Sequence, residues 1–128
     1  MTEKVIISDF PEYITRVFSL DEMVDYMKSD YDCLDSRSRL YSHVFVRQSF
    51  MYLAKRHGHS YNRIGIALGY NHPTCLHAYK RVEDYLYVRD QRFLRTFNEA
   101  VSNFNAHLKK KGNELLDVID ARDKVVFE

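Results

Sequence analysis

Ser60-Tyr61-Asn62-Arg63-Ile64-Gly65-Ile66-Ala67-Leu68-Gly69-Tyr70-Asn71-His72-Pro73-Thr74-Cys75-Leu76-His77-Ala78-Tyr79-Lys80-Arg81-Val82-Glu83 is the stretch whose reading decides the fold. Ser60 is a good N-cap residue, and Ile64, Ala67 and Leu68 recur at helical spacing behind it, which predicts one inward face. Gly69 is a stop signal, because glycine takes the left-handed cap conformation without strain. Asn71 or His72 then opens a second helix whose Cys75, Ala78, Tyr79, Val82 and Leu86 share a face. Pro73 fits the first turn of that helix, where its missing N–H leaves no bond unmade. Two helices across a turn of about three residues form a helix-turn-helix.

The face of the second helix turned away from the core carries Pro73, His77, Lys80, Arg81 and Asp84, with Asn71, His72 and Thr74 at its tip. An amide, an imidazole and a hydroxyl are short hydrogen-bonding groups able to read base edges in a major groove. Basic residues one and two turns further on suit phosphates, and the positive end of the helix favours an anion nearby.

Working outward, the spacing of Leu40, Val44, Phe45, Met51, Tyr52, Leu53 and Ala54 predicts a helix from Arg39 to about His57, with Asp35 or Ser36 as its N-cap and Gly58 as its stop. Ser19-Leu20-Asp21-Glu22 reads as a capping box opening a short helix with Met23, Val24 and Met27 on its apolar face. Ser29 to Ser38 reads as a loop, and Val5-Ile6-Ile7 as a short strand or extended arm before Pro11. On the other side, Phe93, Phe97, Ala100, Val101, Phe104 and Leu108 form one helical stripe, read as core or as a dimer face. Lys109-Lys110-Lys111-Gly112 reads as the end of that helix, and Glu114 to Ala121 as a last short one. The expected fold is all-α, a bundle of five or six helices.

Composition agrees with helices: the 128 residues include only 4 Gly and 2 Pro, the residues that punctuate turns. The net charge of +1 hides a partition. Residues 1–35 hold 3 basic and 9 acidic side chains, residues 36–92 hold 10 and 3, and residues 93–128 hold 6 of each. A basic middle segment is the footprint of a polyanion binder. There is no apolar run of about 18 residues for a membrane span and no secretory signal pattern, so a cytoplasmic location is expected. Cys33 and Cys75 have no metal or redox spacing, and His57, His59, His72 and His77, among the six histidines, lack a zinc-site pattern, so no metal is expected. Neither a nucleophile elbow, a paired-carboxylate site nor a phosphate loop stands out, and neither catalysis nor a cofactor is expected.

Arg47-Gln48-Ser49-Phe50-Met51-Tyr52-Leu53-Ala54-Lys55, Ser60, Ile64-Gly65, Leu68-Gly69 and His72-Pro73-Thr74-Cys75-Leu76-His77-Ala78 together resemble the C-terminal DNA-binding domain, domain IV, of the bacterial replication initiator DnaA. The resemblance spans about residues 36–86 and implies a Trp-repressor-like helix-turn-helix fold. It implies that Arg39 enters the minor groove, that Arg47 and Gln48 lie on the backbone side, and that His77 meets a phosphate. It places Asn71, His72, Pro73 and Thr74 at base-reading positions. Tyr70 stands where the family usually has Arg, Asn71 where it has Asp, and Pro73 where it has Ser or Thr. Asp accepts from cytosine N4 whereas Asn can pair bidentately with adenine, so a different preferred site is expected. No Gly-x-x-x-x-Gly-Lys-Ser/Thr loop occurs, so ATP-driven origin melting is not expected of this chain.

The expected organisation is an acidic segment over 1–35, a helix-turn-helix domain with its packing helix over 36–108, and a tail over 109–128. The expected function is sequence-specific binding of double-stranded DNA, with Arg39, Arg47, Gln48, Ser60, Asn71, His72, Pro73, Thr74, His77, Lys80 and Arg81 at the interface. Its setting would be replication or transcription control in a bacterium or its phage. The rival expectation is a protein-interaction module that keeps the fold without DNA readout. In either case the acidic segment would fold over the basic surface or recruit a protein partner.

Overall fold

The computed structural model describes residues 19–127, with side chains through Lys111 apart from that of Asp35. The chain forms α1 (Leu20–Asp30), a 3-10 turn (Asp32–Asp35), α2 (Tyr41–Arg56), α3 (Tyr61–Leu68), α4 (His72–Val88) and α5 (Gln91–Phe127). No strand occurs among the described residues, and the all-α expectation holds. The Val5-Ile6-Ile7 reading lies outside the described residues.

α1 starts as its sequence predicts. The Ser19 hydroxyl accepts the Glu22 N–H at 3.1 Å, and the Glu22 carboxylate lies 3.5 Å from the same hydroxyl. Met23, Val24 and Met27 are buried, and with Leu34 of the 3-10 turn they join the core cluster of the described residues. Two acidic side chains of α1 lean on α5: Asp30 meets His107 at 3.0 Å and Glu22 meets Lys111 at 3.5 Å. The Tyr26 and His107 rings stack at 4.7 Å beside them. Within residues 20–30, these acidic groups face α5 and not the basic helix-turn-helix.

α2 begins two residues later than its apolar spacing predicts. Leu40 is its N-cap and no side chain caps it. Ser36 and Ser38 bond within the loop instead, accepting the N–H of Ser38 and of Leu40 at 3.3 Å each. These local bonds compete with helix formation, which is why the helix waits until Tyr41. Leu40 is therefore 62% exposed, not a core position. At the other end the N–H groups of Gly58 and His59 return to the carbonyls of Lys55 and Ala54, a Schellman stop.

α2 packs against both α4 and α5. Its Phe45 meets Phe93 of α5 edge-on at 5.3 Å and Tyr85 of α4 at 5.6 Å, while Tyr85 and Phe93 stack at 4.6 Å. Phe93, Phe97, Ala100, Val101, Phe104 and Leu108 are all buried, so the stripe read on α5 is core. Asp90 caps α5 by accepting the Phe93 N–H at 3.0 Å. The expected stop at Lys109–Gly112 does not occur, and the short helix read at Glu114–Ala121 is part of α5. Lysine is a good helix former, and a single internal glycine costs only about 1 kcal/mol.

Candidate nucleic-acid interface

The site is built by two caps and a turn. The Ser60 hydroxyl accepts the Arg63 N–H at 3.2 Å and so starts α3. Ile64, Gly65 and Leu68 form its buried stripe, whereas Ala67 is exposed. The expected Ala67 contact is lost because Gly65 takes the position of closest approach. A Cβ at Gly65 would collide with the Tyr70 carbonyl oxygen and sit 3.5 Å from the Cys75 sulfur. Gly69 ends the helix at φ +78°, in the left-handed region, and the Tyr70 N–H returns to the Gly65 carbonyl at 2.8 Å. These two glycines bring the turn close enough to aim α4.

Asn71 is the N-cap of α4. Its Oδ1 accepts the Thr74 N–H at 2.9 Å and the Thr74 hydroxyl at 2.6 Å. Both lone-pair directions of that oxygen are thereby filled. The bidentate adenine contact expected of Asn71 requires the same oxygen as acceptor, so it is incompatible with this cap. What Asn71 offers outward is its NH2 group, and what Thr74 offers is its hydroxyl oxygen as acceptor.

His72, Pro73, Thr74, His77, Lys80 and Arg81 are exposed on α4, as is Asn71, while Cys75, Ala78 and Val82 are buried beneath them. Burial pushes the Cys75 thiol above its ordinary range, so it behaves as an apolar core group. The His72 ring meets Tyr61 of α3 edge-on at 5.3 Å. Tyr61 in turn contacts Tyr79, Tyr79 stacks on Tyr52 at 4.9 Å, and Tyr52 meets Phe97. A continuous file of rings thus runs from the core to the tip of α4. Lys55 places its ammonium 4.5 Å from the centre of the Tyr61 ring.

The loop before α2 approaches the same turn. Arg39 is exposed on it, as the minor-groove expectation needs. Arg47 is only 8% exposed: it donates to the Ser38 carbonyl and lies 3.5 Å from the Ser36 hydroxyl. Its guanidinium braces the loop, and the side chain also lines the groove shared by Gln48, Thr74 and His77. Gln48, half-buried, lines a groove of about 390 Å³ with Tyr70, Thr74, His77 and Arg81. Two residues that the sequence reading passed over belong here. Tyr61 holds His72, and Arg37 bonds to Gly69; only a contact distant in sequence reveals the second.

Elsewhere, His57 is pushed down to about 4 by burial, with His59 and Arg56 adding to the effect, and its ring lies 5.3 Å from Phe104. It is a core-side histidine. No cluster of metal-ligating side chains occurs among the described residues, and none of their helices is long and apolar enough to cross a membrane.

Comparison with known families gives a match over residues 20–82 to the bacterial DnaA protein helix-turn-helix. The match includes α1, the 3-10 turn, α2, α3 and most of α4, so it begins earlier than the resemblance read from sequence. No curated protein and no solved structure matches the chain at a significant level. The family points to DNA binding, in keeping with the exposed, basic helix-turn-helix. Residues 20–82 of this chain thus match the bacterial DnaA protein helix-turn-helix and form a domain like its domain IV.

Proposed function

We propose that this protein binds double-stranded DNA sequence-specifically, seating the N-terminal turn of α4 in the major groove and Arg39 in the adjacent minor groove. The observation that carries the reading is the tip of α4. Asn71, His72, Pro73 and Thr74 are all exposed there, on a helix whose opposite face is locked into the core. An exposed helix start with outward polar groups is what groove readout requires.

The roles divide by chemistry. The NH2 group of Asn71 donates to a base acceptor such as purine N7, and the Thr74 hydroxyl accepts from an exocyclic amine. The His72 ring, steadied by Tyr61, reads a base edge or a thymine methyl. Pro73 supplies an apolar surface. Ser60, His77, Lys80, Arg81 and Gln48 flank this tip and serve the phosphates, which set register and add affinity without sequence information. Because the carbonyl oxygen of Asn71 is occupied by its own cap, the preferred site differs from one read by an aspartate there. The biological setting is replication or transcription control in a bacterium or phage, in the cytoplasm.

Selection from a randomised duplex library at about 0.15 M salt, where non-specific binding is weak, tests the reading. A recovered consensus of several base pairs supports it. Uniform retention of all duplexes, or none, contradicts it and favours a protein-interaction module.

A further inference from the structure

We propose that Arg37 is a positioning residue that locks the loop carrying Arg39 to the turn that launches α4, so that the two DNA-facing elements are presented in one fixed relation. The inference rests on the duplex-binding reading above.

Arg37 precedes Arg39 by two residues in the uncapped loop before α2. Its Nη2 donates to the carbonyl oxygen of Gly69 at 2.8 Å, a bond spanning 32 residues of sequence. The same guanidinium lies over the Tyr70 ring, 4.0 Å from its centre. One flat cation therefore grips two consecutive residues of the turn, by hydrogen bond and by stacking. A planar guanidinium suits both tasks at once, whereas an ammonium is a point charge without a stacking face.

Gly69 is part of the same fitting. A Cβ there would lie 2.8 Å from Arg37 Nη2, so the residue that supplies the left-handed cap also leaves room for the clasp. The loop is gripped from its other side as well, since Arg47 on α2 donates to the Ser38 carbonyl. Arg39 thus directly follows two anchored residues: Arg37, tied to the turn before α4, and Ser38, tied to α2. Without the Arg37 clasp, the loop keeps its hold on α2 and loses its relation to the recognition helix. Because Arg37 is exposed, its removal should barely change global stability. Its effect falls on simultaneous engagement of two grooves, hence on discrimination between sites.

The test uses the full chain, the duplex recovered by selection and a scrambled duplex of equal length. Arg37→Lys keeps the charge and removes the stacking plane; Tyr70→Leu removes the ring; Tyr70→Phe keeps it. Arg37→Lys and Tyr70→Leu should each lower the preferred-to-scrambled affinity ratio by about tenfold, the double change should do no worse than either single, and Tyr70→Phe should match the wild type. The salt slope should stay unchanged in Arg37→Lys. Thermal midpoints checked alongside, with Arg37→Gln as a second variant, separate lost discrimination from lost folding. Full discrimination in both Arg37→Lys and Arg37→Gln would overturn the clasp, as would losses that multiply in the double variant or that fall equally on both duplexes. A wild-type chain without duplex preference would instead overturn the function, and the clasp's role with it.

Discussion

The starts of α2 and α4 lie side by side on one face of the protein, and they are built in opposite ways. α4 is opened by its own sequence: Gly69 turns the chain, Asn71 caps, Pro73 fits the first turn, and Thr74 closes the cap with two bonds. α2 has no side-chain cap, and the loop before it is held by Arg47 from within α2 and by Arg37 reaching to Gly69. A locally built start gives a rigid tip that presents the same groups each time. A start held by distant arginines keeps its place only while the rest of the domain is folded.

That contrast can be broken first at Arg47, where the largest effect is expected. Arg47→Ala leaves the Ser38 carbonyl without its charged donor and removes a buried side chain. Unfolding in urea should show a loss of about 3 kcal/mol. A loss below about 0.5 kcal/mol would mean that the brace carries no stability. Next comes the seat of α4. Gly65→Ala presses a methyl group into the Tyr70 carbonyl, which is backbone and cannot swing aside, and should destabilise by about 2 kcal/mol in the same measurement. A neutral result would show that the turn has room to shift.

Asn71 sharpens the comparison. Asn71→Ala should lose about 1 kcal/mol of stability, the usual worth of an N-cap, and should loosen Thr74. Asn71→Asp retains an acceptor for both Thr74 bonds and adds a charge at the positive end of the helix, so its stability should equal or exceed the wild type. It should nevertheless change the preferred sequence, because the outward NH2 donor is gone. Parallel melting curves and duplex selections check both halves. Equal stability of the alanine variant would remove Asn71 from its capping role.

A pH experiment probes neither start and serves as the reference. His57 titrates near 4 in the folded chain, below the usual histidine value, because burial disfavours its charged form. Between about pH 6.5 and 4 the unfolded chain binds the proton and the folded chain does not, so stability is fully present above that window and falls as pH drops through it. The loss attributable to His57 should be on the order of 2 kcal/mol and absent from His57→Gln. An unchanged acid profile in that variant would place the titration elsewhere.

The same contrast explains what could be read in advance. Every signal that starts α4 lies within a few residues, and the stripe from Phe93 to Leu108 repeats at helical period, so both were legible. The start of α2 comes two residues later than its spacing predicts, because Asp35 or Ser36 reads as the cap until the loop bonds of Ser36 and Ser38 are seen. Arg37 gives no local sign of its partner, which is 32 residues away. Asn71 was read as a base-contacting group, and only the geometry reveals that its oxygen already belongs to the cap. The continuity of α5 through Gly112 was missed because a glycine after three lysines has the chemistry of a stop. Caps and periodicity are local; braces and shared acceptors are not.

The central claim is that the α4 tip reads sequence while the basic residues behind it supply affinity. Equilibrium binding of His72→Ala and Lys80→Ala to the selected duplex and to a scrambled one tests it most directly. His72→Ala should lose about 1–3 kcal/mol on the selected duplex and almost nothing on the scrambled one, whereas Lys80→Ala should weaken both alike and lower the salt slope by about one. Equal losses of His72→Ala on the two duplexes, or none on either, would contradict it.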